Sequence, residues 1–480
     1  MTIAVKLMVL LFLLFDTTLK LTVKHPAAED QPTYTLLYPT FLGNKQRTFY
    51  GIGVPDTLGL VWKVFVGCGE TRVGRDTLLW CGTGWPGQPT LFEERGENYV
   101  IIGCLDHNLR KLDAETGKEV WRYTFDDVIK GTATLLFNRD NLEQRVLILQ
   151  GSRRGFKKSH YSNIVPSFRA IEVNGEELWR LNIKRTYSYS RDVDASAMVL
   201  DSLVFLGAEN GVLYIIDPAP EKAGKKAGAV QPKVLKQIQL FNNNDIKKHE
   251  GNLVIEASPV LCQNRIYIAA GSGHVYGVSL ETYTIDWDFY IGSDLDGTIT
   301  VTQDSCLLVP IEKQYIEDNG GVLKLDPSRD PDEAVVWYFP TGNVEFAGWE
   351  GGVIGSVSTQ DSLAAFRAID GYLYVVNHYV VDTTISATIN EKSYPAPLVL
   401  AAMHCGPSIS TPLLIDDKII TAGYDNKLKV FKINRLVDKI EITPVDSFMA
   451  HGAFESTPLV WHDRIYIGCR DGYFYCLGKK

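Results

Sequence analysis

The chain has 480 residues, is 45% apolar and 11% aromatic, and carries a formal net charge of −9. That composition supplies a large folded core, and the acidic balance argues against a nucleic-acid partner, which wants a basic patch or stripe. The one basic stretch, Gly151 to Tyr161 (GSRRGFKKSHY), reads as a solvated loop between two strands.

At the N-terminus, Lys6 precedes nine apolar residues, Leu7 to Phe15. This run is short for a membrane span and right for the apolar region of an export signal. Residues 1–20 are therefore expected to be a signal peptide, with no transmembrane span beyond it. The chain is expected to be exported, to the periplasm or the cell surface and extracellular space. No Asn-x-Ser/Thr sequon occurs, which fits a bacterial setting. Residues 21–58 read as an N-terminal leader segment with no repeat strand.

From residue 59 the chain repeats one pattern. An isolated Trp-bearing strand comes first, GLVWKVFVG at Gly59 to Gly67. Then a lead-in strand of small residues recurs, followed by a hairpin of two apolar strands around a Gly, Asn or Asp turn. Such residues accept the positive φ that a tight hairpin turn needs. The clearest hairpins are Tyr99 to Asp113, Val204 to Asp217, Ile266 to Leu280, Ile419 to Ile433 and Ile465 to Gly478. The lead-in strands align at Gln88, Thr132, Ser196, Ser258, Thr298, Ser356, Thr411 and Thr457, spaced 40 to 64 residues apart. Small side chains suit strands converging on a crowded axis. A fourth strand often carries Trp, as in GKEVWRY (Gly117 to Tyr123), GEELWRL (Gly175 to Leu181), TIDWDFY (Thr284 to Tyr290) and AVVWYF (Ala334 to Phe339). A large aromatic suits the wide rim, where it wedges between neighbours.

Such units cannot bury their apolar faces alone and must stack. The last unit ends after its third strand, and the Trp strand at residues 59–67 is the piece it lacks. The fold class is accordingly all-β: an eight-bladed β-propeller of four-stranded antiparallel blades, occupying residues 59–480, with the last blade closed by the N-terminal strand. Closure removes two open sheet edges. Blades two and six are the least regular, which leaves seven blades as the alternative.

The phrase LDAETGKEVWRY (Leu112 to Tyr123) resembles the Asp-x-x-Thr-Gly-x-x-x-Trp repeat of the pyrroloquinoline-quinone (PQQ)-type propellers. STPLV followed by RIYIGCRDGYFYCL resembles the strand pair of the same superfamily, which includes quinoprotein alcohol dehydrogenases and BamB-like assembly propellers. The resemblance spans roughly residues 59 to 480. Its dehydrogenases hold the quinone with Ca²⁺ ligated by carboxylate and amide side chains, under a base Asp, and cap it with vicinal cysteines. This chain has one well-formed repeat of that kind, no adjacent cysteines and no Cys-x-x-Cys-His haem attachment. The residues thus point away from catalysis, and no cofactor is expected. PQQ and Ca in the central funnel form the alternative, as a PQQ-dependent oxidoreductase.

The residues preceding the lead-in strands are candidates for a site at one mouth of the funnel: Trp85, Arg191, Asp194, Glu256, Asp296, Trp349, Glu350, His404, His451 and Glu455. Asp192 and Asp294 belong to the same acidic series. Carboxylates and His bind cations, and Trp stacks on apolar ring faces. The competing reading is a hydrated tunnel, and whether a metal binds stays open at this stage. The eight cysteines show no Cys-x-x-Cys pattern, so that type of zinc site is unsupported. Their pairing is not readable from spacing, though Cys104 and Cys469 occupy equivalent turns. The expected function is a non-catalytic, monomeric scaffold that binds a protein partner, in cell-envelope assembly. A glycan- or ligand-binding propeller is a second alternative, supported by Trp85, Tyr187, Tyr189 and Trp349.

Overall fold

The computed structural model describes residues 33–85, 87–138, 145–226, 228–436 and 439–479; the expected signal peptide lies outside them. Eight antiparallel sheets follow one another around an axis, each with the strand order of a chain-sequential meander. Blade 1 is built on Thr90–Glu94, Glu97–Gly103, Asn108–Asp113 and Glu119–Thr124. Blades 2 to 7 begin at Thr134, Met198, Val260, Thr300, Ser358 and Leu413. In blade 8, Leu459–Trp461, Arg464–Gly468 and Tyr473–Gly478 are joined by Gly59–Phe65 as the outer strand. Leu60 pairs with Leu477 and Val64 with Phe474, so the N-terminal strand closes the ring as the missing fourth strand required.

The eight aligned small residues form an inner belt. The backbone N–H of Gln88 donates to Thr132 Oγ1 in the next blade at 2.7 Å. Ser196 donates in the same way to Ser258 Oγ, Ser258 to Thr298 Oγ1, Ser356 to Thr411 Oγ1 and Thr411 to Thr457 Oγ1. A hydroxyl at this position therefore satisfies the neighbouring blade's strand end. At the rim the tryptophans latch blade to blade. The indole N–H of Trp62 donates to the Ala114 carbonyl, that of Trp121 to Val173, Trp179 to Pro218, Trp287 to Arg329 and Trp337 to His378. The first four acceptors lie just after the third strand of the following blade, and His378 lies within the lengthened third strand of blade 6. This explains the glycine of the Thr-Gly turn: a Cβ on Gly117 would stand 2.6 Å from the Trp62 ring. The hydrophobic core is correspondingly a set of clusters, each drawing on two adjacent blades. Replacing the fully buried Trp179 by Phe leaves the Pro218 carbonyl without its donor. The expected loss is about 1–3 kcal/mol, read as a lower denaturation midpoint with an unchanged m-value.

The ring begins earlier than residue 59. Tyr34–Tyr38 adds a fifth strand to blade 1, against Leu91–Glu94. Residues 39–50 then cross the channel end. Leu135 N donates to Pro39 O, Leu261 N to Lys45 O and Val301 N to Gln46 O. The Tyr50 hydroxyl accepts from Thr359 N. Arg47 is fully buried and donates to Thr40 Oγ1, Phe41 O and Pro259 O. Gly51–Ile52 runs parallel to the inner strand of blade 8. The leader segment thus plugs one face of the disc. It shows no repeat periodicity because it pairs with strand ends contributed by several blades.

Two departures lie outside the meander. The Ala219 to Lys233 insertion, read from its composition as flexible, forms a short 3-10 turn and a hairpin, Gly224–Lys226 with Ala229–Gln231. In blade 6 the outer hairpin, Tyr372–Ile389 and Lys392–His404, lengthens and reaches over blade 5. At its tip Ile389 joins the core of blades 4 and 5, and Asn390 Nδ2 donates to Ile291 O.

Candidate functional site

The open face of the channel is lined by two rings of side chains set by strand register. The first comes from the residue two before each aligned small residue. Among the described residues it comprises Lys130, Asp194, Glu256, Asp296, Ile354, Ile409 and Glu455. The second comes from the residue directly after each second strand: Cys104, Ser152, Glu209, Gly271, Glu312, Ala368, Gly423 and Cys469. Polar groups fall on blades 2 to 5 and, through Glu455, on blade 8, and aliphatic ones on blades 6 and 7.

The apolar half is closed by aromatics. Trp85 and Trp349 stack with centroids 5.6 Å apart, Phe346 meets Tyr424 edge-on, and the group packs on Ile354, Ile369 and Ile409. Trp85 holds a left-handed backbone at φ 55° and reaches across to donate its indole N–H to Glu256 Oε2 at 2.6 Å. Beneath it lies a cavity of about 30 Å³ floored by Phe41 of the plug, room for about one water.

The acidic half holds two triads. Asp194, Glu209 and Glu256 surround Lys130, which pairs with Asp194, lies 4.0 Å from Glu209 and sits under the Trp85 ring. Burial opposes its charge, but these three carboxylates outweigh it and hold the ammonium protonated. Burial and neighbouring acids push Glu209 well up and Glu256 up. The second triad is Asp294, Asp296 and Glu312. Burial, then the neighbouring carboxylates, raise Asp294 to about 6, Glu312 to about 8, and Asp296 well above its usual range. Asp192 behaves oppositely: burial is outweighed by Arg153 and Lys130, and Arg153 Nε donates to it at 2.7 Å. The second triad borders an open cavity of about 350 Å³ that also touches Tyr189, Asn252, Gln314 and Trp349.

The structure gathers Trp85, Asp194, Glu256, Asp296 and Trp349 at this mouth. Glu455 stands beside them, accepting from the Tyr424 hydroxyl and paired with Arg470. Others lie apart. Arg191 is buried and spends its guanidinium on the carbonyls of Ile183, His160 and Ser162. Glu350 and His451 are exposed. His404 ends the outer strand of blade 6, edge-on to Tyr372. Sequence reasoning missed Lys130, Glu209 and Glu312. Lys130 was findable, since it holds the same register position as Asp194 and Glu256.

Beside the mouth, Cys68–Val73 and Asp76–Cys81 form a hairpin closed by the Cys68–Cys81 disulfide; the other six cysteines are free and buried. The Thr71 hydroxyl donates to Asp127 and accepts from Arg153, and Trp80 lies against Arg153 and Arg470. The hairpin is thereby fixed to the disc while Leu79 stands 64% exposed.

The residues do not fit the quinone that the superfamily's dehydrogenases carry. A carboxylate-bearing quinone needs cationic partners, yet this lining is carboxylate, and its lysine is already enclosed by three acids. Stacked Trp85 and Trp349 occupy the apolar half of the mouth.

No protein-family model matches the chain, and no curated protein matches it in sequence. Solved structures do match in fold. BamB from Moraxella catarrhalis superposes with a TM-score of 0.54 at 13% identity, covering 88% of this chain and 100% of that one. The computationally designed Ika8 protein gives a TM-score of 0.54 at 10% identity, covering 89% and 100%. The chain is thus an eight-bladed propeller with the BamB-like, PQQ-type fold.

Proposed function

We propose that this protein is a non-catalytic, exported propeller that binds a protein partner as a monomeric scaffold in the cell envelope. The observation that carries the reading is the disulfide-closed hairpin, which holds Leu79, Leu78 and Val73 in solvent on the open face. Apolar side chains on a rigid support bind at low entropic cost. Export is supported by the apolar run Leu7 to Phe15 and by the Cys68–Cys81 disulfide, because such bonds persist in oxidising compartments. The BamB-like fold supports the same reading by analogy alone.

The test compares wild type with Leu79→Asp, immobilised and exposed to envelope extract. Leu79 is exposed, so the variant is expected to melt like wild type while losing a specifically retained envelope protein. Equal retention by both would place binding elsewhere. Turnover of alcohols or aldoses with added quinone and Ca²⁺, abolished by Glu256→Gln, would replace the scaffold reading with an enzyme.

A further inference from the structure

The two acidic triads are related by register. Asp194 and Glu209 of blade 3 stand two residues before the belt and directly after the second strand. Asp296 and Glu312 of blade 5 hold the same two positions. In the first triad the charge is met by Lys130, which reaches in from the preceding blade and lies under the Trp85 ring. In the blade preceding blade 5, the position equivalent to Lys130 carries Glu256. The second triad, Asp294, Asp296 and Glu312, thus has a further acid beside it where the first has an ammonium. Among the described residues, none of its members forms an ion pair with a Lys, Arg or His side chain.

A second observation points into the same place. Asn252 is 4% exposed and Asp294 is 5% exposed. The Asn252 amide N–H donates to Asp294 Oδ2, but Asn252 Oδ1 and Asp294 Oδ1 receive no hydrogen bond. Both face the bare backbone of Gly271, where a Cβ would stand 2.8 Å from Asp294 Oδ1 and 3.1 Å from Asn252 Oδ1. Gly271 holds the register position that carries Glu209 in blade 3 and Glu312 in blade 5, so its missing side chain leaves the two oxygens open. Buried acceptors without a donor are rare in folded proteins. The cavity they border, about 350 Å³, is walled by Tyr189, Tyr315 and Trp349. That space exceeds what a bare ion needs, and aromatic rings attract organic cations through their quadrupole.

We propose that Asp294, Asp296, Glu312 and the Asn252 side-chain oxygen bind a primary alkylammonium group carried by a ligand, as the neighbouring triad holds Lys130 beneath Trp85. Such a group offers three N–H donors and no acceptor, which matches a pocket floor made only of acceptors. Its hydrogen bonds to carboxylates are charge-assisted and strong. The alkyl chain leaves through the open cavity between Tyr189, Tyr315 and Trp349. Two sources carry this chemistry, a lysine side chain presented by a protein and a free aliphatic amine. The site stands whether or not the Leu79 hairpin is a docking surface.

The experiment uses the intact purified protein in calorimetric and tryptophan-fluorescence titrations at matched ionic strength. The probes are Nα-acetyl-lysine amide, the same compound acetylated at Nε, n-butylamine and CaCl₂. The two amines are expected to saturate one site and change the emission of Trp349, while the uncharged Nε-acetyl compound does neither. Tighter binding of the lysine amide than of butylamine assigns the site to a protein's lysine, and the reverse assigns it to a free amine. Asp294→Asn and Glu312→Gln are each expected to weaken binding at least about tenfold. Both should melt at or above wild type, since each removes a buried like charge, and the wild-type titrations decide the matter if either fails to fold. Glu333→Gln, an exposed acid in a rim turn of blade 5, should bind like wild type and controls for net charge. No saturable binding of either amine at millimolar concentration, equal binding of the Nε-acetyl compound, binding retained in both variants, or saturation by Ca²⁺ alone would overturn the assignment.

Discussion

Deletion of residues 1 to 70 is expected to leave a protein that aggregates and shows no cooperative melt. The truncation removes Gly59–Phe65, the outer strand of blade 8, and bares the edge of Tyr473–Gly478. Phe474, Tyr475, Cys476 and Leu477 on that edge are buried in the intact ring. An exposed apolar edge pairs with other chains. The same deletion takes away the Trp62 latch to blade 1 and the plug, with Phe41, Leu42, Tyr50 and Val54 from the core. Light scattering and a thermal melt read the result. A truncated protein that stays soluble and melts like the full chain would show that ring closure contributes nothing.

Lys130→Met is expected to cost roughly 3–5 kcal/mol, the usual loss when one partner of a buried ion pair is removed. The methionine fills the stem's space under Trp85 but leaves Asp194, Glu209 and Glu256 facing each other. Adding Asp194→Asn removes one of those charges and should recover part of the loss. The double-mutant cycle separates charge from packing. A Lys130→Met protein as stable as wild type would mean that the three acids are held neutral, and the ammonium contributes little.

The repeat was legible because propeller strands impose a period. Hydroxyls at Thr132, Ser258, Thr298, Thr411 and Thr457 recur because each caps the preceding blade, and the rim tryptophans recur because each meets a turn carbonyl. Residues 34–54 carry no such signal. They pair with different blades in turn, so nothing in their order repeats. The site was legible in part for a geometric reason. A loop between blades starts at the rim and ends at the axis, so only its last residues reach the channel. Asp194, Glu256 and Asp296 stand two residues before the inner belt and line the mouth. His404 ends an outer strand, His451 sits early in its loop and Glu350 lies six residues before the belt residue Ser356; all three are exposed. Glu209 and Glu312 come from hairpin turns, where the sequence shows only a change from Gly to Glu. The Cys68–Cys81 bond joins paired strands of an added hairpin, a contact that spacing alone does not reveal.

The scaffold reading is tested most directly by photo-crosslinking in the producing cell. A photoreactive residue is placed at Leu79 on the open-face hairpin, and at Leu235 on the outer strand of blade 3 as a control; both are exposed. The account predicts one discrete envelope-protein adduct from position 79 and none from position 235. Adducts at 235 with none at 79, or no adduct from either in the cell, would contradict it.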